Sequence, residues 1–107
     1  MIQFGIKFGL SETAITTIYA IFRKYDAIEK AVIYGSRAKG NYKQGSDIDL
    51  TLFGKSLTTD HLMRIAQDFD DSVLPYLVDI SVFDLLDNPS LRDHIQRVGV
   101  VFYEQSK

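Results

Sequence analysis

From Ser11 to Tyr25 the apolar side chains fall at Ala14, Ile15, Ile18, Ile21, Phe22 and Tyr25. That three-and-four spacing predicts a helix with one dry face, and Ser11 is placed to cap its start. The next stretch, "IEKAVIY", is rich in β-formers and stops at Gly35, so it reads as a strand that ends in a glycine-serine turn. A short helix from Ser36 to Lys39 follows it. In "DIDLTLF" the pattern changes to strict alternation. Successive strand side chains point to opposite faces, so Ile48, Leu50 and Leu52 face a core while Asp47, Asp49, Thr51 and Phe53 share the other side.

The second half repeats the scheme. Leu62, Ile65, Ala66, Phe69 and Val73 recur at helical spacing after a cap at Thr58 or Thr59, and Pro75 closes that element. "YLVDISVF" alternates again, with Val78, Ile80 and Val82 inward and Asp79 beside Ser81 on the opposite face. Asn88 before Pro89 opens a last helix with an apolar stripe of Leu91, Ile95 and Val98 and with Gly99 as its C-cap. "VVFY" is a closing strand. Mixed strands and helices of this length predict an α+β fold. It is a small mixed β-sheet with helices packed on one face and the other face partly free to hold a site.

Composition narrows the picture. The chain has 107 residues, 46% hydrophobic and 24% charged, with seven Gly and two Pro, which suits one packed domain over residues 1–107 and not a disordered chain. No linker, repeat or low-complexity segment divides it. The absence of cysteine removes disulfides, thiolate catalysis and cysteine-held zinc, so any metal must be bound by oxygen or histidine. "MIQFGIKFGL" is too short and too weakly flanked for a signal peptide, and no run approaches the ~20 apolar residues of a membrane span. A cytoplasmic location is expected. A net charge of -2 argues against stand-alone binding to duplex DNA.

The candidate chemistry lies in "AVIYGSRAKGNYKQGSDIDLTLF". A glycine-serine pair that leaves a strand and enters a helix presents backbone N–H groups where phosphate is favoured. Gly35 would let a phosphate approach, Ser36 would add a hydroxyl donor, and Arg37, Lys39 and Lys43 would supply positive charge. Taken alone, Ser36 is more readily explained as a helix cap, because Ser is a common N-cap. The aspartates carry more. Asp47 and Asp49 have backbones roughly 6.5 to 7 Å apart and side chains on one face, so both can reach a common hard cation. Strands disfavour Asp, and two like charges side by side repel unless a cation separates them. Asp79 is a third carboxylate on a strand that could lie alongside. Three carboxylates suit two Mg²⁺ ions about 3.5 to 4 Å apart, one activating an attacking hydroxyl and one holding a triphosphate, with Asp79 as general base.

The spacing Gly-Ser-x10-Asp-x-Asp, with Gly40 and Gly45-Ser46 inside it, resembles the signature of the DNA polymerase beta nucleotidyltransferase superfamily. The small size is similar to its minimal nucleotidyltransferase (MNT) branch. By that resemblance Gly35 and Ser36 match the phosphate-binding turn, Asp47 and Asp49 the metal pair, Asp79 the third acid, and Arg37 the residue that often follows the serine. The branch implies Mg²⁺-dependent transfer of AMP from ATP to a hydroxyl, a tyrosine in the first instance, of a separately encoded helical HEPN-type toxin. The chain would then be its antitoxin and work within a homo- or hetero-oligomer. Apolar residues near "MIQFGIKFGL" or "VVFYE" could contribute to such an interface. Two other readings stand beside this one: an antitoxin that neutralises by contact alone, and the catalytic subunit of a split nucleotidyltransferase for antibiotic-like small molecules.

Elsewhere the chemistry is sparse. His61 and His94 occupy polar helical positions and read as ordinary surface histidines. Asp60, Asp68, Asp70 and Asp71 read as a solvated helix face, Asp84 and Asp87 as turn or capping residues, and Tyr34 and Tyr42 as packing around the phosphate turn.

Overall fold

The computed structural model describes residues 8–105. The element order is α1 (Glu12–Arg23), β1 (Lys30–Tyr34), α2 (Ser36–Lys39), β2 (Ile48–Phe53), α3 (Thr59–Asp70), β3 (Val78–Val82), a 3₁₀ turn (Phe83–Leu85), α4 (Pro89–Val98) and β4 (Val100–Glu104). The strands form one mixed sheet in the order β3-β2-β1-β4. β1 pairs antiparallel with both β2 and β4, while β3 runs parallel to β2 and is reached through α3.

The caps follow the local chemistry. The Ser11 hydroxyl accepts from the Ala14 backbone N–H at 3.2 Å, and Asn88 Oδ1 accepts from the Leu91 N–H at 3.1 Å with Pro89 in the first turn. Thr58, not Thr59, caps α3, and His61 completes the box by accepting from the Thr58 backbone N–H at 3.1 Å. That capping role accounts for His61.

Alternation along the strands separates two environments. Ala31, Ile33, Ile48, Leu50, Leu52 and Val82 turn toward α1 and α3 and form the main core with Leu10, Ile18, Phe22, Ile65 and Phe69. On the opposite side α4 and the 3₁₀ turn cover one end of the sheet, where Val32, Tyr34, Phe83 and Ile95 make a second, smaller cluster. Thr51 is therefore fully buried, although its alternation pointed it away from the core. The apolar stripe of α3 is also narrower than expected. Ile65 and Phe69 are buried, whereas Ala66 is exposed and Val73, which lies beyond the helix end, is 87% exposed.

Tyr25 likewise falls past the end of α1. Its hydroxyl donates to Asp68 Oδ2 at 2.5 Å, and Lys24 reaches the same oxygen at 3.0 Å. Asp68 thus ties α1 to α3 instead of standing in solvent. Burial and this bond raise the Tyr25 phenol to about 12, while the Tyr25 and Lys24 hydrogen bonds lower the Asp68 carboxyl below its ordinary value.

At the β4 edge the register slips between Ala31 and Val32, which leaves Phe102 without a ladder partner. The Tyr19 hydroxyl donates to the Phe102 carbonyl at 2.6 Å, and the two rings meet edge to face. No helix among the described residues is long and apolar enough to cross a membrane.

Candidate active site

The acids lie on the face of the sheet that carries α4, at the part that α4 leaves open. Asp49 and Asp79 are direct register partners on the parallel strands β2 and β3. Neighbouring strands lie about 4.8 Å apart, so these two carboxylates project side by side. Asp47 precedes β2 and is exposed, Asp79 is exposed on an edge strand, and Asp49 is half-buried between them. The strand pattern had placed Asp79 on this face. Its direct pairing with Asp49 depends on strand order, which the pattern does not carry.

Gly35 brings the turn to the acids. It adopts φ +74°, a left-handed conformation that other residues reach only at a cost. A Cβ at Gly35 would lie 2.5 Å from Asp49 Oδ2. The glycine therefore lets the carboxylate rest against the backbone of the turn. Gly35 is also the N-cap of α2, so Ser36 is its first helical residue and not its cap. The Ser36 hydroxyl makes no hydrogen bond to the described residues.

The charges are arranged unfavourably. Burial raises the Asp49 carboxyl above its ordinary value, and the charges of Asp79 and Asp47 push it further in the same direction. His94 and Arg37 pull it back. His94 belongs to this wall: it is half-buried on α4, and its ring meets Tyr34 edge-on at 6.1 Å. Reading it as an ordinary surface residue missed this, because only the packing of α4 across the sheet brings it there. Tyr34 extends the polar floor beneath the acids. Burial raises its phenol, Asp49 and Asp79 add to the rise, and a hydrogen bond with Ser81 opposes it. Ser81 also donates to Thr51 Oγ1 at 2.9 Å, which satisfies the one polar group that this end of the sheet buries completely.

Arg37, expected as a phosphate contact, is engaged within the protein. It is 2% exposed, its Nε and Nη2 donate to the Ser46 carbonyl at 3.1 and 2.7 Å, and its Nη1 donates to the Phe8 carbonyl at 2.9 Å. Its guanidinium is held on carbonyl oxygens of the chain itself. Lys39, at the end of α2, and Lys43, on the loop between α2 and β2, are exposed.

The donor set suits a hard divalent cation, since all three side chains offer carboxylate oxygens and their mutual repulsion is what a cation would relieve. The carboxylates are not drawn into a closed cage: among the described residues no group of three or more acidic, histidine or cysteine side chains surrounds a common point. Of the two apolar segments assigned to a partner surface, residues 1–7 lie outside the described residues. In the other, Val100 and Val101 are exposed, while Phe102 and Tyr103 are buried.

Comparison with known proteins agrees with this architecture. Residues 16–107 match the family described as Polymerase beta, Nucleotidyltransferase. Among solved structures, a toxin-antitoxin crystal structure with AMP-PNP superposes with a TM-score of 0.69 at 19% identity, over 85% of this chain and 73% of that one. A mutant of the toxin-antitoxin MntA-HpeT, with two aspartates two positions apart changed to glutamate, superposes at 0.67 and 16% identity over the same shares, 85% and 73%. At these identities the likeness is one of fold. No curated protein matches the sequence.

Proposed function

The chain belongs to the Polymerase beta nucleotidyltransferase family, and from that premise we propose that it transfers AMP from ATP to a hydroxyl, most simply a tyrosine, of a separately encoded helical partner of the HEPN toxin class. The observation that carries this reading is the pairing of Asp49 with Asp79 on adjacent strands, with Asp49 resting against the Gly35 turn. The toxin-antitoxin complexes among the structural neighbours support the antitoxin role. So does the paired-aspartate mutant of one of them, which has the same spacing as Asp47 and Asp49.

In this reading Gly35 and Ser36 bind the triphosphate through the free Ser36 hydroxyl and the turn backbone. Asp47, Asp49 and Asp79 would hold Mg²⁺, two ions by the number of acids, which when bound neutralise the triphosphate and lower the pKa of the attacking hydroxyl. The acceptor oxygen forms a bond to the α-phosphorus, the bond from that phosphorus to the β-bridging oxygen breaks, and pyrophosphate leaves. Asp79, exposed on the edge strand, takes the hydroxyl proton. Asp47 and Asp79 are exposed, which suits an acceptor carried by another molecule.

The test is intact mass of the co-expressed partner after incubation with ATP and Mg²⁺. Gain of one AMP with the parent, and none with an Asp47→Asn, Asp49→Asn variant, supports the proposal. Full protection from the toxin by that variant would instead make the chain an antitoxin that acts by contact. An unmodified partner beside a nucleotidylated small molecule would make it a split small-molecule enzyme.

A further inference from the structure

We propose that Arg37 is a positioning residue that sets the placement of the metal-binding acids from beneath, rather than a group that touches nucleotide; the proposal rests on the metal reading of Asp47, Asp49 and Asp79 above. A buried guanidinium normally has a carboxylate partner, because an unpaired buried charge is costly. Among the described residues no carboxylate is within ion-pair distance of Arg37. Its partners are instead carbonyl oxygens and aromatic faces, and three of them, Ser46, Tyr42 and Tyr76, belong to segments that lead into the site.

The Ser46 carbonyl, which takes both Nε and Nη2, is part of the peptide group that joins Ser46 to Asp47. Holding that oxygen with a planar fork fixes the peptide plane from which Asp47 projects. Tyr76 stacks on the guanidinium at 5.0 Å and stands two residues before β3, the strand of Asp79. Tyr42, from the loop between α2 and β2, faces it at 5.3 Å. The entries to β2 and β3 are themselves linked, since the Ile48 N–H donates to the Leu77 carbonyl at 2.9 Å. One side chain thus gathers the starts of both acid-bearing strands.

The remaining donor, Nη1, reaches the Phe8 carbonyl, and the next residue, Gly9, shows how tightly that segment is packed. Gly9 has φ +73°, and a Cβ there would collide with the Tyr42 ring and come within 2.8 Å of Arg37 Nη1. Lysine could not replace this device. A single ammonium cannot donate in two fixed directions and stack flat on rings at once.

The test is Mn²⁺ titration of the nucleotide-free protein by electron paramagnetic resonance, paired with the KM for ATP at saturating Mg²⁺. For Arg37→Lys the Mn²⁺ dissociation constant is expected to rise on the order of tenfold, as for other groups that orient metal ligands, with the KM for ATP within about twofold of the parent. A raised KM for ATP with parental Mn²⁺ binding would make Arg37 a phosphate contact and overturn the proposal, and so would parental values of both. Should Arg37→Lys fail to fold by thermal melting, Tyr76→Leu keeps the guanidinium and removes one stacking face. It is expected to weaken Mn²⁺ binding severalfold, and no change would overturn the proposal. The Asp47→Asn, Asp49→Asn variant separates the two levels: if it binds Mn²⁺ like the parent, the metal reading falls and the Arg37 proposal with it. If it loses Mn²⁺ while Arg37→Lys does not, only the Arg37 proposal falls.

Discussion

The same strands present two chemically opposed surfaces, and the contrast divides the work of the molecule. Ile33, Ile48, Leu50 and Leu52 are fully buried under α1 and α3, where packing alone decides what is tolerated. Alternate residues of those strands, Tyr34, Asp49, Asp79 and Ser81, meet like charges and half-buried polar groups on the other side. The first surface stabilises the fold. The second holds charge that the fold would be more stable without, which is the usual condition of a reactive site.

Substitutions on each surface should therefore fail in different ways. The largest effect is expected from Asp47→Asn with Asp49→Asn, which should reduce AMP transfer by roughly a thousandfold or more without lowering the melting temperature. A coupled loss of stability would break the contrast. Next, Leu50→Ala should cost about 2–5 kcal/mol in urea unfolding, through lost burial and the cavity left behind. The folded fraction should keep its activity.

Gly35→Ala sits on the boundary. The left-handed backbone and the displaced Asp49 carboxylate should together cost about 1–3 kcal/mol and remove most of the activity, measured by thermal melting and label transfer.

The subtlest comparison is pH-dependent and sets Asp49 against Asp68. Asp49 is raised above 3.8, so its folded form favours the proton: whatever stability it lends is complete below that value and is lost as pH rises through the folded pKa. Asp49→Asn should then melt a few degrees higher than the parent at neutral pH, with the gain vanishing on acidification. Asp68 is lowered below 3.8, so its contribution is present above that value and is lost as pH falls through its folded pKa. Asp68→Asn should melt slightly lower at neutral pH and converge with the parent in acid. Melting curves from neutral pH to below 3.8 would show the opposite signs, and equal signs would remove the contrast between the site carboxylate and the structural one.

Periodicity carried most of the fold. The start of α1, the bounds of α4, the four-residue α2 and the alternation of β2 and β3 were all legible, because each rests on local chemistry: a cap, a glycine or a two-residue repeat. The Gly35-Ser36 turn and the acids were legible for the same reason. What was not legible depends on contacts between distant segments. Thr51 is buried because α4 and Phe83 cover a face that its own strand marks as polar. His94 enters the site wall through that same packing. The burial of Arg37 was hidden because α2 is a single turn, too short to show a periodic face, and its partners come from residues 8, 42, 46 and 76.

The border of the sheet at β4 has a consequence of its own. With Phe102 pushed out of register and its oxygen plugged by the Tyr19 hydroxyl, the outermost strand offers an interrupted template to any further strand. Growth of the sheet from molecule to molecule is discouraged there, and association through this border must use side chains such as Val100 and Val101 in place of a continuous run of backbone pairs.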